Sequence, residues 1–210
     1  QGGSVEEVLE KAFGPRDWKL FCVGSTHPGE EDLVCREYAR ALVTQPSWRM
    51  ALVPRHAERG AEVARILDMY HLPWQSVAPI PGTNPAPDGR CQVLLVNTTG
   101  QLMSYYRAAD LCYVGKSLAG QTGGHNIIEP AIFGKAIVYG AHMENFRQVD
   151  ELFRQEEAAV VVSSDNLLFP TIQGLMADEE RRGELGRRAR RLVEEHRGAI
   201  ARTLDIVDAL

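Results

Sequence analysis

Two short apolar runs bracket a glycine-rich loop near the middle of the chain, and their arrangement limits the folds available. The runs are Leu111–Val114 and Ala136–Tyr139, and a glycine follows each of them directly. Short apolar runs bounded by turn residues are typical of strands buried in a parallel sheet. A loop and a helical segment lie between the runs, so the order is strand, loop, helix, strand. This order is that of a βαβ unit, and it predicts an α/β fold.

The rest of the chain continues the alternation of strands and helices. Further strands are predicted at residues 19–23, 48–53, 93–96 and 158–162, with a short one at 74–77. Helices are predicted at residues 5–13, 29–42, 57–70, 100–109, 127–133, 146–154, 167–176, 178–195 and 197–210. We therefore expect one Rossmann-like domain over residues 5–210, a doubly wound parallel sheet of about six strands with C-terminal helices. Residues Gln1–Ser4 resemble an expression-vector remnant, and we leave them out of the fold.

The glycine-rich loop ends where a helix is predicted to begin. Asn126 is a favourable N-cap, and Glu129 three residues later would complete a capping box. Glycines let a backbone approach a ligand closely, and the N–H groups of a helix N-terminus attract phosphate or carboxylate. The alternative is a structural connection, in which Asn126 and Glu129 only cap the helix and His125 is an ordinary structural histidine. The candidate ligand residues of this loop are Gly115, Ser117, Gly123, Gly124, His125 and Asn126.

Polar side chains also follow the first two strands. Ser25 and Thr26 come after the first strand, and Arg55 and His56 after the second. The carboxyl ends of parallel strands share one edge of the sheet, where open α/β sheets bind ligands. The planar guanidinium of Arg55 suits a phosphate or a carboxylate. Ser25 and Thr26 are weaker candidates, because an anion there would meet the acidic first turn of the next helix, and a plain turn explains them equally well.

Composition argues against several other classes of protein. The net charge of −5 is unfavourable for a general nucleic-acid binder. The sequence has no signal-peptide pattern and no apolar run near the roughly 18 residues that a membrane span needs. Its four cysteines lack CxxC spacing, and Cys22 and Cys112 fall within predicted strands. This usage favours a reducing, cytoplasmic compartment over a disulfide scaffold or a zinc site.

Three segments of the chain resemble the 3-deoxy-D-manno-octulosonic acid (Kdo) transferases. GGHNIIEPAIFGKAIVYGAHMENF at residues 123–146 matches the signature of that family, and it includes Asn145. GSTHPGEE at residues 24–31 and LVPRHAER at residues 52–59 follow the first and second strands in the family's order. One departure is Lys116, which stands where the family commonly has glycine.

The resemblance implies a donor-binding function. Kdo transferases are GT-B enzymes, in which two Rossmann-like domains face each other, and this chain is similar to the C-terminal, donor-binding one. The implied donor is CMP-Kdo and the implied acceptor is a lipid A precursor in lipopolysaccharide biosynthesis. That acceptor would be held by an N-terminal domain that this chain does not include. The implied reaction is inverting and needs no metal or other cofactor, and the whole enzyme would lie at the cytoplasmic face of the bacterial inner membrane.

The same resemblance assigns site residues. No catalytic residue is expected in this chain, because the base would lie in the N-terminal domain, and the chain alone should be inactive. Ser25, Thr26, Lys116 and Asn145 are secondary candidates for the donor site. The main donor-binding candidates are Arg55, His56, Gly115, Ser117, Gly123, Gly124, His125, Asn126 and Glu129.

Three other functions remain open at this stage. The chain could be the donor domain of a GT-B enzyme that uses a UDP-sugar, or a nucleotide-binding module that works alone. An NAD-binding domain is disfavoured, because GSTHPGEE follows the first strand in place of G-x-G-x-x-G.

Two surface segments also allow two interpretations each. The arginine-rich helix at residues 178–195 could contact an anionic membrane or be a solvated face with interleaved glutamates. The proline-rich segment at residues 79–90 predicts a mobile loop, either a lid or a variable insertion.

Overall fold

The protein folds around one twisted sheet with helices on both faces. The structure is a computed structural model, and it describes residues 3–196. Its strands are β1 (Lys19–Thr26), β2 (Trp48–Pro54), β3 (Trp74–Ser76), β4 (Val93–Leu95), β5 (Leu111–Val114), β6 (Ala136–Gly140) and β7 (Val160–Val162). Its α-helices are α1 (Val5–Phe13), α2 (Glu30–Leu42), α3 (Gly60–Met69), α4 (Leu102–Ala108), α5 (Ile128–Ile132), α6 (Arg147–Gln155), α7 (Leu168–Ala177) and α8 (Glu179–Glu195).

All paired strands of the sheet are parallel, and their order is β3-β4-β2-β1-β5-β6-β7. The chain builds outward from β1 to the β3 edge, and then crosses to the other side of β1 to add β5, β6 and β7. Such a reversal leaves a crevice outside the carboxyl ends of the two strands where it occurs, here β1 and β5. The predicted doubly wound α/β fold is confirmed, and this crevice is its expected ligand position.

Side chains that alternate along the strands supply two cores. In β1, Leu20 and Cys22 belong to the core under one face of the sheet, while Phe21 and Val23 belong to the core under the other. Each of these four residues is fully buried. A parallel strand covered on both faces needs apolar side chains at consecutive positions, which is why the strands read as continuous apolar runs.

The elements differ from the sequence predictions in three places. The sheet has seven strands among the described residues where about six were expected, because the short edge strand β3 does form. Helix α5 has only five residues, so it carries much less of a dipole than the predicted helix over 127–133. The predicted last helix, residues 197–210, lies outside the described residues.

The N-terminal segment begins with a helix cap. Ser4 is the N-cap of α1: its hydroxyl accepts a hydrogen bond from the Glu7 N–H, and the Glu7 carboxylate accepts one from the Ser4 N–H. This is a complete capping box. Ser4 therefore takes part in the folded structure as the cap of α1.

The proline-rich segment runs along the outer edge of β3. The Ala86 N–H donates to the Trp74 carbonyl at 2.8 Å, and the Gln75 side-chain amide donates to the Ala86 carbonyl at 2.9 Å. Further on, the Gly89 N–H donates to the carbonyl of Lys11 in α1 at 2.9 Å. These hydrogen bonds tie the segment to the sheet edge and to α1, which does not support a mobile lid.

Three of the six arginines of α8 have side-chain partners within the described residues. Arg182 is buried, donates to the carbonyls of Leu175 and Met176 at the end of α7, and lies over the Trp48 ring. Arg188 pairs with Glu157 and Glu184, and Arg190 pairs with Glu194. The helix therefore has one structural arginine and two arginines in surface salt bridges, while no ion pair with a described residue is formed by Arg181, Arg187 or Arg191. No helix in the described part of the chain is long and apolar enough to cross a membrane.

Candidate functional site

The loop that follows β5 is held in place by a buried glutamate. Glu30, the first residue of α2, has no exposed surface, and its carboxylate points into this loop. It accepts hydrogen bonds from the backbone N–H groups of His27 (3.0 Å), Lys116 (2.7 Å), Ser117 (3.0 Å) and Leu118 (3.2 Å) and from the Tyr113 hydroxyl (2.8 Å). The protein thus supplies its own anion to the amides of this loop.

Two opposing effects act on the Glu30 carboxyl group. Burial raises the pKa of Glu30, while the hydrogen bonds from Ser117, Lys116, Tyr113 and His27 act in the opposite direction. Four backbone donors at one carboxylate fix the relative positions of β1 and β5 at their carboxyl ends. A ligand does not need to order this loop.

Several predicted ligand residues have structural roles instead. Ser117 is completely buried: its hydroxyl donates to the Val114 carbonyl and accepts from the Gly140 N–H. Thr26 is also completely buried, and its hydroxyl donates to Glu31. Gly115 has no room for a Cβ, which would lie 2.5 Å from the Ser25 carbonyl oxygen. These three residues join strand ends to one another. The structure therefore does not support their assignment as direct contacts of the donor.

Ser25 and Lys116 adopt a backbone conformation that favours glycine. Their φ angles are 55° and 63°, in the left-handed region that costs most residues roughly 1–2 kcal/mol. Ser25 is buried under the Gly115 turn, so it is not an open ligand contact. The conformation of Lys116 explains why glycine suits its position in the Kdo transferases that the sequence resembles.

Three histidines line up across the carboxyl edge of the sheet. His27 follows β1, His56 follows β2, and His125 lies in the loop after β5. The Nε2 atoms of His27 and His125 are 2.9 Å apart, and their ring planes differ by 24°. The His56 ring lies edge-on to His27 with the centroids 5.8 Å apart. His27 and His125 flank the β1/β5 crevice, and both are partly exposed there.

Two cations at this edge lack an acidic partner within the described residues. Neither the Arg55 guanidinium nor the Lys116 ammonium makes a hydrogen bond or an ion pair with residues 3–196. Arg59, in contrast, is paired with Glu31 at 2.7 Å and with Glu62 at 2.7 Å. Arg55 and Lys116 are therefore the cations available to an anionic ligand.

These cations act on the two histidines. Burial and the charge of Lys116 lower the pKa of His27 to about 4. Burial, then His27 itself and Lys116, lower the pKa of His125 to about 3. Arg55 and His56 contribute in the same direction for both rings. The crevice is therefore electropositive, and two neutral imidazoles stand in its wall.

The second half of the glycine-rich loop is tied to the segment after β6. The Gly123 N–H donates to the Glu144 carboxylate at 2.6 Å, and the Asn145 N–H donates to the Gly123 carbonyl at 3.0 Å. Gly124 has a φ of 71°, and its N–H donates to the Lys116 carbonyl at 2.8 Å. The backbone N–H groups of Gly123 and Gly124 are thus both occupied. They are not free to donate to a phosphate, contrary to the prediction.

Asn126 lies one residue before the helix cap. Its side-chain oxygen accepts from the Ile128 N–H at 3.1 Å, while Ile127 is the N-cap of α5. The capping prediction is therefore off by one residue, although Asn126 still satisfies an amide at the helix start. Glu129 follows in the first turn of α5 and is half-buried.

The sequence of the chain is similar to those of Kdo transferases from several bacteria. The chain is 31% identical over 208 residues to the 3-deoxy-D-manno-octulosonic acid transferase of Haemophilus influenzae, covering 96% of this chain and 48% of the relative. It is 30% identical over 194 residues to the enzyme of the same name from Bordetella pertussis, covering 90% of this chain and 44% of the relative. The chain is a homologue of the Kdo transferases. No protein-family model matches it.

The comparison with solved structures points to the same family as the comparison of sequences. The C-terminal CMP-Kdo binding domain of WaaA from Acinetobacter baumannii superposes with a TM-score of 0.76 and 26% identity, covering 85% of this chain and 90% of that one. The C-terminal domain of a group 1 glycosyl transferase from Francisella tularensis superposes with a TM-score of 0.59 at 14% identity, covering 86% of each chain, which shows the shared fold alone. The fold is that of the C-terminal domain of GT-B glycosyltransferases. The chain spans about half the length of the curated relatives it matches.

Three residues of the site at the β1/β5 crevice were not predicted from the sequence. His27 and Glu30 both lie in the segment GSTHPGEE, but Glu30 was considered only as part of the acidic first turn of the next helix, and His27 was given no role. Glu144 lies in the segment that ends the family signature, where only Asn145 was named. A histidine directly after a strand end was the available signal for His27, as it was for His56.

Proposed function

We propose that this chain is the donor-binding half of a glycosyltransferase that moves Kdo from CMP-Kdo to a lipid A precursor. Its activity would require a second, acceptor-binding domain that supplies the catalytic base. The reaction would be an inverting transfer at the cytoplasmic face of a bacterial inner membrane. The chain by itself would bind the donor and fail to turn it over.

The observation that carries this proposal is a pair of cations near the β1/β5 crevice whose side chains form no hydrogen bond or ion pair with residues 3–196. Arg55 follows β2 and Lys116 follows β5, so both lie at the carboxyl edge of the sheet, where an open α/β sheet binds ligands. Both residues lower the pKa of His27 and His125, so their charges act on the same small volume. An anion such as the phosphate of a sugar nucleotide would complement this charge. The resemblance to a domain named for CMP-Kdo binding supports the choice of nucleotide.

The chemistry follows from the position of these charges. When CMP leaves the anomeric carbon of the sugar, negative charge develops on its phosphate. Preorganised cations and dipoles that face such charge can contribute about 3–4 kcal/mol to transition-state stabilisation. Arg55 and Lys116 would supply this stabilisation, so we propose a transfer that needs no metal ion. Glu129, in the first turn of α5, would accept hydrogen bonds from the ribose hydroxyls.

Calorimetric titration with CMP, UMP and UDP tests the donor assignment. We expect the chain to bind CMP more tightly than either uridine nucleotide, and Arg55→Ala to weaken CMP binding by at least tenfold. Arg65→Ala is the matched control, because Arg65 is an exposed arginine of α3 that hydrogen-bonds only to the Ala61 carbonyl among the described residues. Preference for UMP or UDP would replace CMP-Kdo with a UDP-sugar. Equal losses in both variants would remove Arg55 from the site.

The ribose assignment has its own test. Glu129→Gln should weaken CMP binding while leaving the affinity for 2′-deoxy-CMP nearly unchanged, because the deoxy compound already lacks one of the hydroxyls. Equal losses for both nucleotides would show that Glu129 acts elsewhere. Turnover can be measured as the release of CMP from CMP-Kdo in the presence of a lipid A precursor. If the chain alone releases CMP in this assay, the proposed need for a second domain is refuted.

A further inference from the structure

Lys116 extends over Gly123 from a backbone conformation that is unfavourable for lysine. Its φ angle is 63°, in the left-handed region that favours glycine, the residue common at this position in the Kdo transferases. The side chain is half-buried, and its ammonium forms no hydrogen bond or ion pair with residues 3–196. A strained residue that holds a half-buried charge without a described partner indicates a role in binding rather than in the fold.

The side chain of Asn145 lies next to that of Lys116. A Cβ at Gly123 would lie 2.7 Å from Asn145 Nδ2 and 3.5 Å from Lys116 Cε, so both side chains lie over the same backbone position. Gly123 has a φ of 101°, and only glycine keeps this space open. Asn145 is exposed, and its carboxamide forms no hydrogen bond with another described residue. An ammonium and a carboxamide thus line a cradle over Gly123 that a side chain would fill.

The other polar groups around this cradle are engaged. The Glu144 carboxylate accepts from the Gly123 N–H at 2.6 Å and lies 3.3 Å from His142 Nδ1, and it forms no ion pair with Lys116. The Gly124 N–H donates to the Lys116 carbonyl. The two side chains that remain among the described residues both carry N–H groups, which donate to oxyanions. The cradle is therefore suited to an oxyanion.

The cradle lies on the opposite side of β1 from Arg55. The strand order at this edge is β2-β1-β5-β6, and Arg55 follows β2, Lys116 follows β5 and Asn145 follows β6. After burial, the charge of Lys116 is the main cause that lowers the pKa of His27 to about 4, so this ammonium acts at the crevice. A donor that spans the edge would meet one cation on each side of β1. Two anionic groups on the donor would complement this arrangement better than one.

We infer that Lys116 and Asn145 form a carboxylate subsite, which holds the acid group of the donor sugar beside its phosphate. The inference rests on the proposed function, because it concerns the sugar end of the same donor. In CMP-Kdo one carbon carries both the carboxylate and the phosphate oxygen, so a single ammonium can face both groups. The Asn145 amide donates to the carboxylate. Because the Kdo transferases commonly have glycine at position 116, the lysine contact distinguishes this chain from them.

Two esters of CMP isolate the carboxylate. The methyl ester and the carboxymethyl ester are both phosphate diesters, and only the second has a carboxylate on the carbon bonded to the phosphate oxygen. In calorimetric titrations we expect the wild-type chain to bind the carboxymethyl ester about tenfold more tightly, the factor that one charge-assisted hydrogen bond contributes. Lys116→Gly should weaken the binding of both esters and abolish this preference, and Asn145→Ala should reduce it. Lys135→Ala is the control, because it removes a half-buried lysine that precedes β6, at the opposite edge of the sheet.

The side-chain amide signal of Asn145 in ¹H–¹⁵N spectra reports the contact directly. Asn145→Ala identifies this signal by removing it, and the signals of other residues report whether each variant is folded. The signal should shift on saturation with the carboxymethyl ester or with CMP-Kdo. The methyl ester should leave it nearly unchanged.

The outcomes separate this inference from the donor assignment. If CMP is preferred over the uridine nucleotides but both esters bind the wild-type chain equally, the donor assignment stands and the carboxylate subsite is refuted. A preference for the carboxymethyl ester that persists in Lys116→Gly also refutes the subsite. If neither ester binds but free Kdo shifts the Asn145 signal in the wild-type chain and not in Lys116→Gly, the donor assignment fails and the subsite stands. If neither ester binds and free Kdo leaves the signal unchanged, both are refuted.

Discussion

Replacing Glu30 with glutamine should loosen the floor of the crevice at a large cost in stability. One carboxylate oxygen of Glu30 accepts from Tyr113, Ser117 and Leu118, and the other accepts from His27 and Lys116. A glutamine can keep its oxygen on the first group of donors, but its NH₂ group then faces the other two N–H groups. Two hydrogen bonds to a charged acceptor are lost, at about 1.5–3 kcal/mol each, so we expect a loss of about 3–6 kcal/mol.

Urea denaturation followed by circular dichroism measures this loss. Glu37→Gln is the matched control, since Glu37 is another buried glutamate of α2. Its partners are Arg36 and Arg40, whose side chains are 47% and 56% exposed and regain water when the carboxylate is removed. We expect the control to lose about 1 kcal/mol or less. If Glu30→Gln costs no more than Glu37→Gln, the carboxylate does not hold the loop in place.

Three further predictions address the same edge of the sheet. Gly140→Ala should destabilise the fold by about 1–3 kcal/mol in the same denaturation assay, because the added Cβ overlaps the Ser117 backbone carbonyl; an unchanged midpoint would contradict the close packing. Lys116→Gly should relieve a left-handed backbone and so leave stability equal or higher, while weakening CMP binding in a titration; undiminished binding would remove Lys116 from the site. His27 and His125 have pKa values of about 4 and about 3, below their ordinary value, so the unfolded chain binds more protons below pH 6.5, and stability should fall as pH drops from 6.5 towards 3. Replacing both histidines with glutamine should flatten that part of the stability–pH profile, and an unchanged profile would contradict the assigned shifts.

The strands could be predicted from the sequence because each is a local pattern. β5 is an apolar run ended by Gly115, and β2 is one ended by Pro54, so burial on both faces and the stop signal are read from adjacent residues. The position of Arg55 at the ligand edge follows at once, since a parallel strand delivers its next residue there. The predicted strand count was low, because a three-residue edge strand such as β3 gives little local signal.

The site depended on contacts that no local pattern contains. Glu30 binds amides 86 to 88 positions away, and His27 meets His125 across 98 positions. An acidic residue at a helix start has an adequate local explanation in the helix dipole, which hid the role of Glu30. Ser117 was misjudged for the same reason: a hydroxyl in a glycine-rich loop looks available until the neighbouring strand is seen to bury it.

The hydrogen bonds along β3 have a consequence for how copies of this chain meet. An edge strand with open N–H and C=O groups invites pairing with a strand from another molecule, and it is a common start of aggregation. Here residues 79–90 run along that edge: the Ala86 N–H occupies the Trp74 carbonyl, the Gln75 side chain holds the Ala86 carbonyl, and the four prolines of the segment have no N–H to pair with another strand. A chain shortened by this segment should self-associate through β3. We therefore expect the segment to hinder pairing between copies of this chain at the β3 edge.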